Sequence, residues 1–421
     1  MTAILTQSQD ERHLNAFYIY LCILCLAPWP MGSSRDWVWP ILTIAQSGLA
    51  LYLMVRATDA LYNIRAEIRL ILIAFAALTA WMTIQLLFTP DLYNTYADIL
   101  KTVTFGAFVF NTYQLIKSRD RLMTVINALL IVGVCQVVLA AIQHLGFGLK
   151  ASGSYPNRNH YGGLLEMTVA LGIGFMVAQQ PIEKKNEPWL VSLLELITGP
   201  KARLRLMLVM LVIGLVISRS RGANMAFVLS LLLASGVFFF MTRRIQHNTI
   251  IFLVSILVVD ALIIGNYFGI EKLKARFENS TPQTETRDDI NQYSRQMAED
   301  YWLTGAGAGS YEIIFPHYRG NNIEARITNA ENDYLEFLIE LGIIGVIPLA
   351  LIVVIGLRQQ LRQMSPRRDR FNQGIAFGCL MGSTAILMHG VGDFNLQIPA
   401  NAMIFCLLLT LPLCHTDASA S

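Results

Sequence analysis

The sequence predicts an all-α integral membrane protein with about twelve transmembrane helices and one large loop on the outer face. Three observations predict this. First, 54% of the 421 residues are apolar and only 14% are charged, against roughly 25% charged in a soluble domain. Second, mean hydropathy is +0.48. Third, the apolar residues gather into twelve runs, most of them near the length of about 20 residues that a helix needs to cross a bilayer. A soluble fold of this composition would expose more apolar surface than water tolerates. Disorder requires the opposite composition. A net charge of +3 gives no basis for nucleic-acid binding.

In chain order the runs are 17–33, 37–55, 68–88, 98–116, 122–145, 160–179, 204–218, 222–241, 249–268, 333–357, 372–391 and 397–414. The first is a span that stays in place rather than a cleaved leader. The seventh is short, and Ser218 to Gly222 separates it from the eighth. Lys and Arg in the short connections set the orientation. With the N-terminus in the cytoplasm, the inside segments carry nineteen basic residues and the short outside segments six. Fusing runs seven and eight would move the basic segment 358–370 outside, so the bias supports the split. Both termini are then cytoplasmic. The chain divides into spans one to nine over 1–268, an outer loop over 269–332 with short helices, and spans ten to twelve over 333–421. In that loop Thr286 to Asp300 has helical character, and Leu303 to Tyr311 is glycine-rich and turns.

Six cysteines lie in or beside apolar runs. Cys22 and Cys25 have CxxC spacing inside a span and lack the further ligands of a metal site. No metal and no cofactor is expected. Gly305, Gly307 and Gly309 lack the strand–helix context of a nucleotide loop and form a tight turn.

Five polar clusters fall on the outer face by alternation. They are Tyr155 to His160, Ser218 to Gly222, the loop arginines (Arg287, Arg295, Arg319, Arg326), Asn329 to Asp333, and His389 to Asn395. Arg219 and Arg221 sit in a very short connection. Two readings stand side by side: snorkelling to lipid headgroups, or a bidentate grip on phosphate. Arg158, entering span six, shares that potential. Glu331 is either a helix-start carboxylate favoured by the dipole or a partly desolvated general base. Asp333, Glu336 and Glu340 could share that role. Asn157, Asn159, Asn332, His389, Asp393, Arg295 and Arg319 are candidates for contacts with a glycan or acceptor. Asp260 lies mid-run in span nine, without an evident partner.

Arginines beside a carboxylate on one face suit transfer from a lipid diphosphate-linked glycan. An acceptor hydroxyl attacks the anomeric carbon, and the arginines hold the departing charge. The order of motifs also resembles the O-antigen ligase and polymerase superfamily: an Asn/Gly motif entering a mid-chain span, then Ser-Arg-Ser-Arg-Gly-Ala, then a large loop carrying Arg287 and Trp302 to Tyr311, then Glu331 to Gly345. The resemblance covers about 155–400 directly. It implies a bacterial inner-membrane, metal-independent, inverting glycosyltransferase with a GT-C-like fold and its site facing the periplasm. The donor would be an undecaprenyl-diphosphate-linked oligosaccharide, with a chain-length regulator and a flippase as potential partners. Positions matching Arg221 and Arg287 bind the diphosphate in the ligases. A histidine activates the acceptor at the position occupied here by Glu331. That departure favours polymerisation of O-antigen or exopolysaccharide repeat units over ligation to lipid A–core or protein. A polysaccharide-lipid transporter would instead show mid-span charges and two related halves. A structural scaffold would not require the arginine and acid clusters.

Overall fold

The computed structural model describes residues 2–56, 64–179, 202–242 and 282–414, with the backbone alone for 2–12 and 282–287. The run 249–268, Asp260, the start of the loop (269–281) and the Arg287 side chain lie outside that description. Among the described residues the secondary structure is helical, without strands.

The principal helices are α1 (Thr2–Leu26), α2 (Trp39–Arg56), α3 (Ala66–Gln85), α4 (Leu92–Leu115), α5 (Arg119–Ala141), α6 (Arg158–Ala178), α7 (Ala202–Ile217) and α8 (Arg221–Thr242). They continue as α9 (Pro282–Tyr301), α10 (Tyr311–Ile314), α11 (Asp333–Gln363), α12 (Arg370–His389) and α13 (Pro399–Thr410). Each apolar run among the described residues coincides with one of these helices. Six are long and apolar enough to cross a membrane: α3, α5 with its π-helical extension to Gly146, α6, α8, α11 and α12. Two shorter apolar helices cover His13–Leu26 and Pro399–Leu413. The break between α7 and α8 falls at Ser218 to Ser220, where the basic-residue bias places it.

Short side chains set the helix starts. Asp91, Ser118, Asn157, Asn332 and Asp369 each accept a backbone N–H of the first turn, satisfying donors that a helix otherwise leaves open.

α6 is the central post: every residue from His160 to Ala178 is buried. Its closest neighbour is α12. Gly174 of α6 meets Gly374 and Gly378 of α12 backbone to backbone. A Cβ at Gly378 would lie 2.7 Å from the Ala170 carbonyl oxygen. Small residues at that seam let two helices approach more closely than side chains allow, the usual device for packing within lipid.

α11 is broken at Gly342 (φ 62, ψ 177). The carbonyls freed by the break are taken up elsewhere. Ala306 N–H donates to Ile339 O (2.8 Å) and Gly307 N–H to Glu340 O (3.0 Å); Ile343 N–H donates to Trp302 O (2.8 Å). The Gln85 amide donates to Glu340 O and the Trp81 indole to Leu341 O, each at 2.8 Å. Gly305 (φ 70) is required here, because a Cβ would sit 2.2 Å from Glu340 O. The glycine run is therefore a tight turn, and it clips the loop onto the broken helix. The loop has its own small core, in which Ile290, Met297, Tyr311 and Phe315 pack with Ala330 and Ile339.

Candidate functional site

Four of the five polar clusters meet at one end of the bundle, around the connector 389–398. Asn157 caps α6 through Asn159 N–H (2.9 Å). The Asn159 amide donates to Asp393 Oδ2, and His160 Nε2 lies 3.2 Å from Asp393 Oδ1. His389, at the end of α12, places Nδ1 3.2 Å from Glu166 Oε1 and Nε2 4.0 Å from Asp393 Oδ2. The result is a buried chain of alternating acid and imidazole: Glu166, His389, Asp393, His160.

The start of α11 is tied to the same connector. Asp333 N–H donates to the carbonyls of Gly390 (2.9 Å) and Asp393 (3.1 Å). Its carboxylate accepts Leu396 N–H at 3.1 and 3.2 Å. The Asn332 amide donates to Val391 O (2.9 Å) while its oxygen caps the helix. Tyr155 and Asn401 close the group from beneath: Tyr155 O–H donates to Asn401 Oδ1 (3.1 Å), and the Asn401 amide donates to His160 O and Asn395 Oδ1.

The turn Ser218 to Ser220 shows why its residues alternate. Ser218 and Ser220 are buried, and Arg219 and Arg221 are exposed. Ser220 N–H donates to Ser218 Oγ, and Ser220 Oγ accepts Ala223 N–H. The serines thus close the turn from inside and leave both arginines facing outward. Arg219 adopts φ 54, a left-handed conformation that costs about 1–2 kcal/mol for a residue with a Cβ. α8 starts hard against α6 and α12. A Cβ at Gly162 would lie 2.6 Å from Ala223 Cβ, and one at Gly222 would lie 2.8 Å from the His389 ring.

Glu331 is half-buried and also left-handed, with φ 52. Its neighbours hold it there. Glu336 accepts from the Asn329 amide and from Ala330 N–H, both at 2.7 Å. Asn332 and Asp333 are fixed to the connector as described. A strained residue held by that many contacts marks a place where backbone geometry is imposed.

Arg158, at the first position of α6, is exposed on this end of the bundle. Two predicted loop residues are not in the group. Arg295 is exposed on α9, and Arg319 donates to Ala325 O (3.0 Å) within the loop. Arg326 pairs with Glu312. Glu340 accepts Tyr311 N–H (3.2 Å) near the Gly342 break. Glu166 and the partnership of His160 were missed by sequence reasoning. A carboxylate six residues past His160 inside an apolar run was the available signal, since ionisable residues at membrane depth are functional by default. Among the described residues no group of three or more His, Cys, Asp or Glu could hold a metal.

Asp393 is nearly buried. Burial acts to raise its pKa, but the His160 contact, the charge of His389 and the Phe394 N–H outweigh burial and hold it below the usual carboxylate value. A depressed carboxylate stabilises the fold above its unfolded pKa of about 4, and that stability is lost as pH falls below it. Asp393→Asn is expected to flatten this acid limb. Thermal unfolding in detergent from pH 6 to pH 3 measures it, and parallel wild-type and variant curves would rule out a charge contribution from Asp393.

Fold and site together define a multi-pass helical membrane protein with a polar centre at one end of its bundle. Residues 206–350 match the sequence profile of the family described as O-antigen ligase. The match runs from α7 to the middle of α11 and takes in both Ser218–Gly222 and Glu331–Asn332. It bears out the resemblance to the O-antigen ligase and polymerase superfamily and supports glycosyl transfer of the ligase or polymerase type. No curated protein matches the chain.

Proposed function

We propose that this protein is an inner-membrane glycosyltransferase that polymerises glycan repeat units on undecaprenyl diphosphate at the periplasmic face. The observation that carries the reading is the convergence of three helix starts, those of α6, α8 and α11, on one connector. Each start carries roughly half a positive charge. Arg158, Arg219 and Arg221 add full charges on the exposed side. An anion is the natural occupant, and a lipid diphosphate brings one that grows as the glycosidic bond breaks.

In the reaction the acceptor sugar hydroxyl attacks the anomeric carbon from the face opposite the diphosphate. The new C–O bond forms as the old one to the diphosphate oxygen breaks, with inversion. Glu331 takes the hydroxyl proton, and the arginines hold the departing charge. By its match to a diphosphate-binding position of the resembled ligases, Arg287 is assigned to the same anion. The twelve-span layout, with a periplasmic loop between spans nine and ten and cytoplasmic termini, accommodates this site. A carboxylate base at Glu331, where the ligases carry histidine, favours a sugar hydroxyl as acceptor and hence polymerisation.

The test is the glycan profile of the source strain lacking this protein, with the wild-type copy restored in parallel. A single repeat unit on the acceptor, without long chains, is the expected result. Long chains stranded on the lipid diphosphate beside a bare acceptor would make the protein a ligase. A profile that the deletion leaves unchanged overturns the reading.

A further inference from the structure

The least explained group in the bundle is the Glu166 carboxylate. It lies in the third turn of α6, fully buried. Its Oε1 meets His389 Nδ1, and its Oε2 has no hydrogen-bond partner among the described residues. An apolar side chain of the same size would fill that space without the cost of burying an unpartnered polar oxygen. The carboxylate must therefore do something that packing does not.

Its one described partner is informative. His389 faces Glu166 on one side and Gly222 on the other. Gly222 approaches so closely that any Cβ there would press on the ring at 2.8 Å. The position of the imidazole therefore fixes the position of the first turn of α8, and Arg221 is the residue immediately before Gly222. The ring is also 4.0 Å from Asp393, which bonds the starts of α6 and α11. Without Glu166 the imidazole loses the contact that orients its Nδ1 edge, and the turn that bears Arg221 is backed by a less firmly held ring.

We propose that Glu166 is a positioning residue for the diphosphate site: through His389 it holds the first turn of α8 in register, and so aims Arg221 at the diphosphate. The inference rests on the diphosphate reading above. Glu166 touches no substrate. It acts through the ring and the glycine.

The test measures binding of farnesyl diphosphate, a short soluble prenyl diphosphate, to the purified full-length protein. Glu166→Leu removes the acceptor and is expected to weaken binding tenfold or more. Glu166→Gln still accepts the His389 N–H and is expected to stay within threefold of wild type. Glu166→Leu combined with His389→Leu is expected to bind no more weakly than the weaker single variant, because both act on one linkage. Gly222→Ala presses on the same ring from the opposite side and is expected to weaken binding as Glu166→Leu does. A purely structural role would lower yield and Tm while leaving the affinity of the folded fraction unchanged. Wild-type affinity in folded Glu166→Leu overturns the inference and leaves the diphosphate reading intact. Should that variant not fold, wild-type affinity in folded Gly222→Ala overturns it equally. Failure of the wild-type protein to bind farnesyl diphosphate overturns the diphosphate reading itself.

Discussion

Glu331→Gly is expected to abolish glycan transfer while leaving the folded protein at least as stable as wild type. The two effects have separate causes. A positioned general base contributes on the order of 10²- to 10⁴-fold to rate, and glycine has no base to offer. Glu331 also holds φ 52, a conformation that costs a residue with a Cβ about 1–2 kcal/mol and glycine almost nothing. Most substitutions destabilise, so a loss of activity with an unchanged or higher Tm is a distinctive signature. It belongs to a residue kept for chemistry at the expense of the fold. Single-turnover transfer from a purified lipid-linked repeat unit, run beside thermal unfolding in the same detergent, measures both. Glu331→His, which installs the residue found in ligases, is expected to retain part of the rate. Wild-type transfer by Glu331→Gly would remove Glu331 from the mechanism.

Arg221→Ala is expected to lower kcat/KM for the lipid-linked donor by about 10²- to 10³-fold, the usual effect of deleting one group that stabilises charge developing in a transition state. Arg221 is exposed on the first turn of α8, so little packing is lost and the Tm is expected to stay close to wild type. Arg221→Lys keeps the charge but loses the planar fork that grips two phosphate oxygens at once. Only partial recovery is expected from it. Arg219→Ala is expected to be milder in rate, and Arg219→Gly, which relieves the left-handed backbone strain, is expected to be neutral or stabilising in Tm. Donor titrations for the four proteins test these expectations. An Arg221→Ala enzyme with the wild-type donor dependence would leave the diphosphate without its proposed anchor.

Much of this architecture was legible in one dimension. Apolar runs locate helices because span length is set by bilayer thickness. The break at Ser218–Ser220 was legible because Lys and Arg in the connections record which side each one occupies. The site was legible as a set of clusters but not as a set of bonds. Asn159 with Asp393, and His389 with Glu166, are separated by 234 and 223 residues, and alternation assigns a face without assigning partners. The Gly342 break left no mark, since Leu341 to Val346 reads as uninterrupted span. Its evidence lies in Trp302 to Gly307, whose N–H and C=O groups complete the helix from another part of the chain. Sequence reasoning left Glu331 open between a helix-start carboxylate and a general base, because residue type carries no φ. Its backbone strain appears only in three dimensions.

The acid–imidazole chain also has a consequence for how the protein is made. Glu166 leaves the ribosome 223 residues before His389. During that interval α6 carries a carboxylate at membrane depth without the imidazole that it meets in the finished bundle. An isolated charge there is costly, so α6 is less stable in lipid alone than in the finished bundle. It gains its imidazole partner only when the end of α12 arrives. The last tenth of the polypeptide therefore completes the middle of it, and a chain that stops before residue 389 leaves the Glu166 carboxylate without the imidazole it meets in the finished bundle.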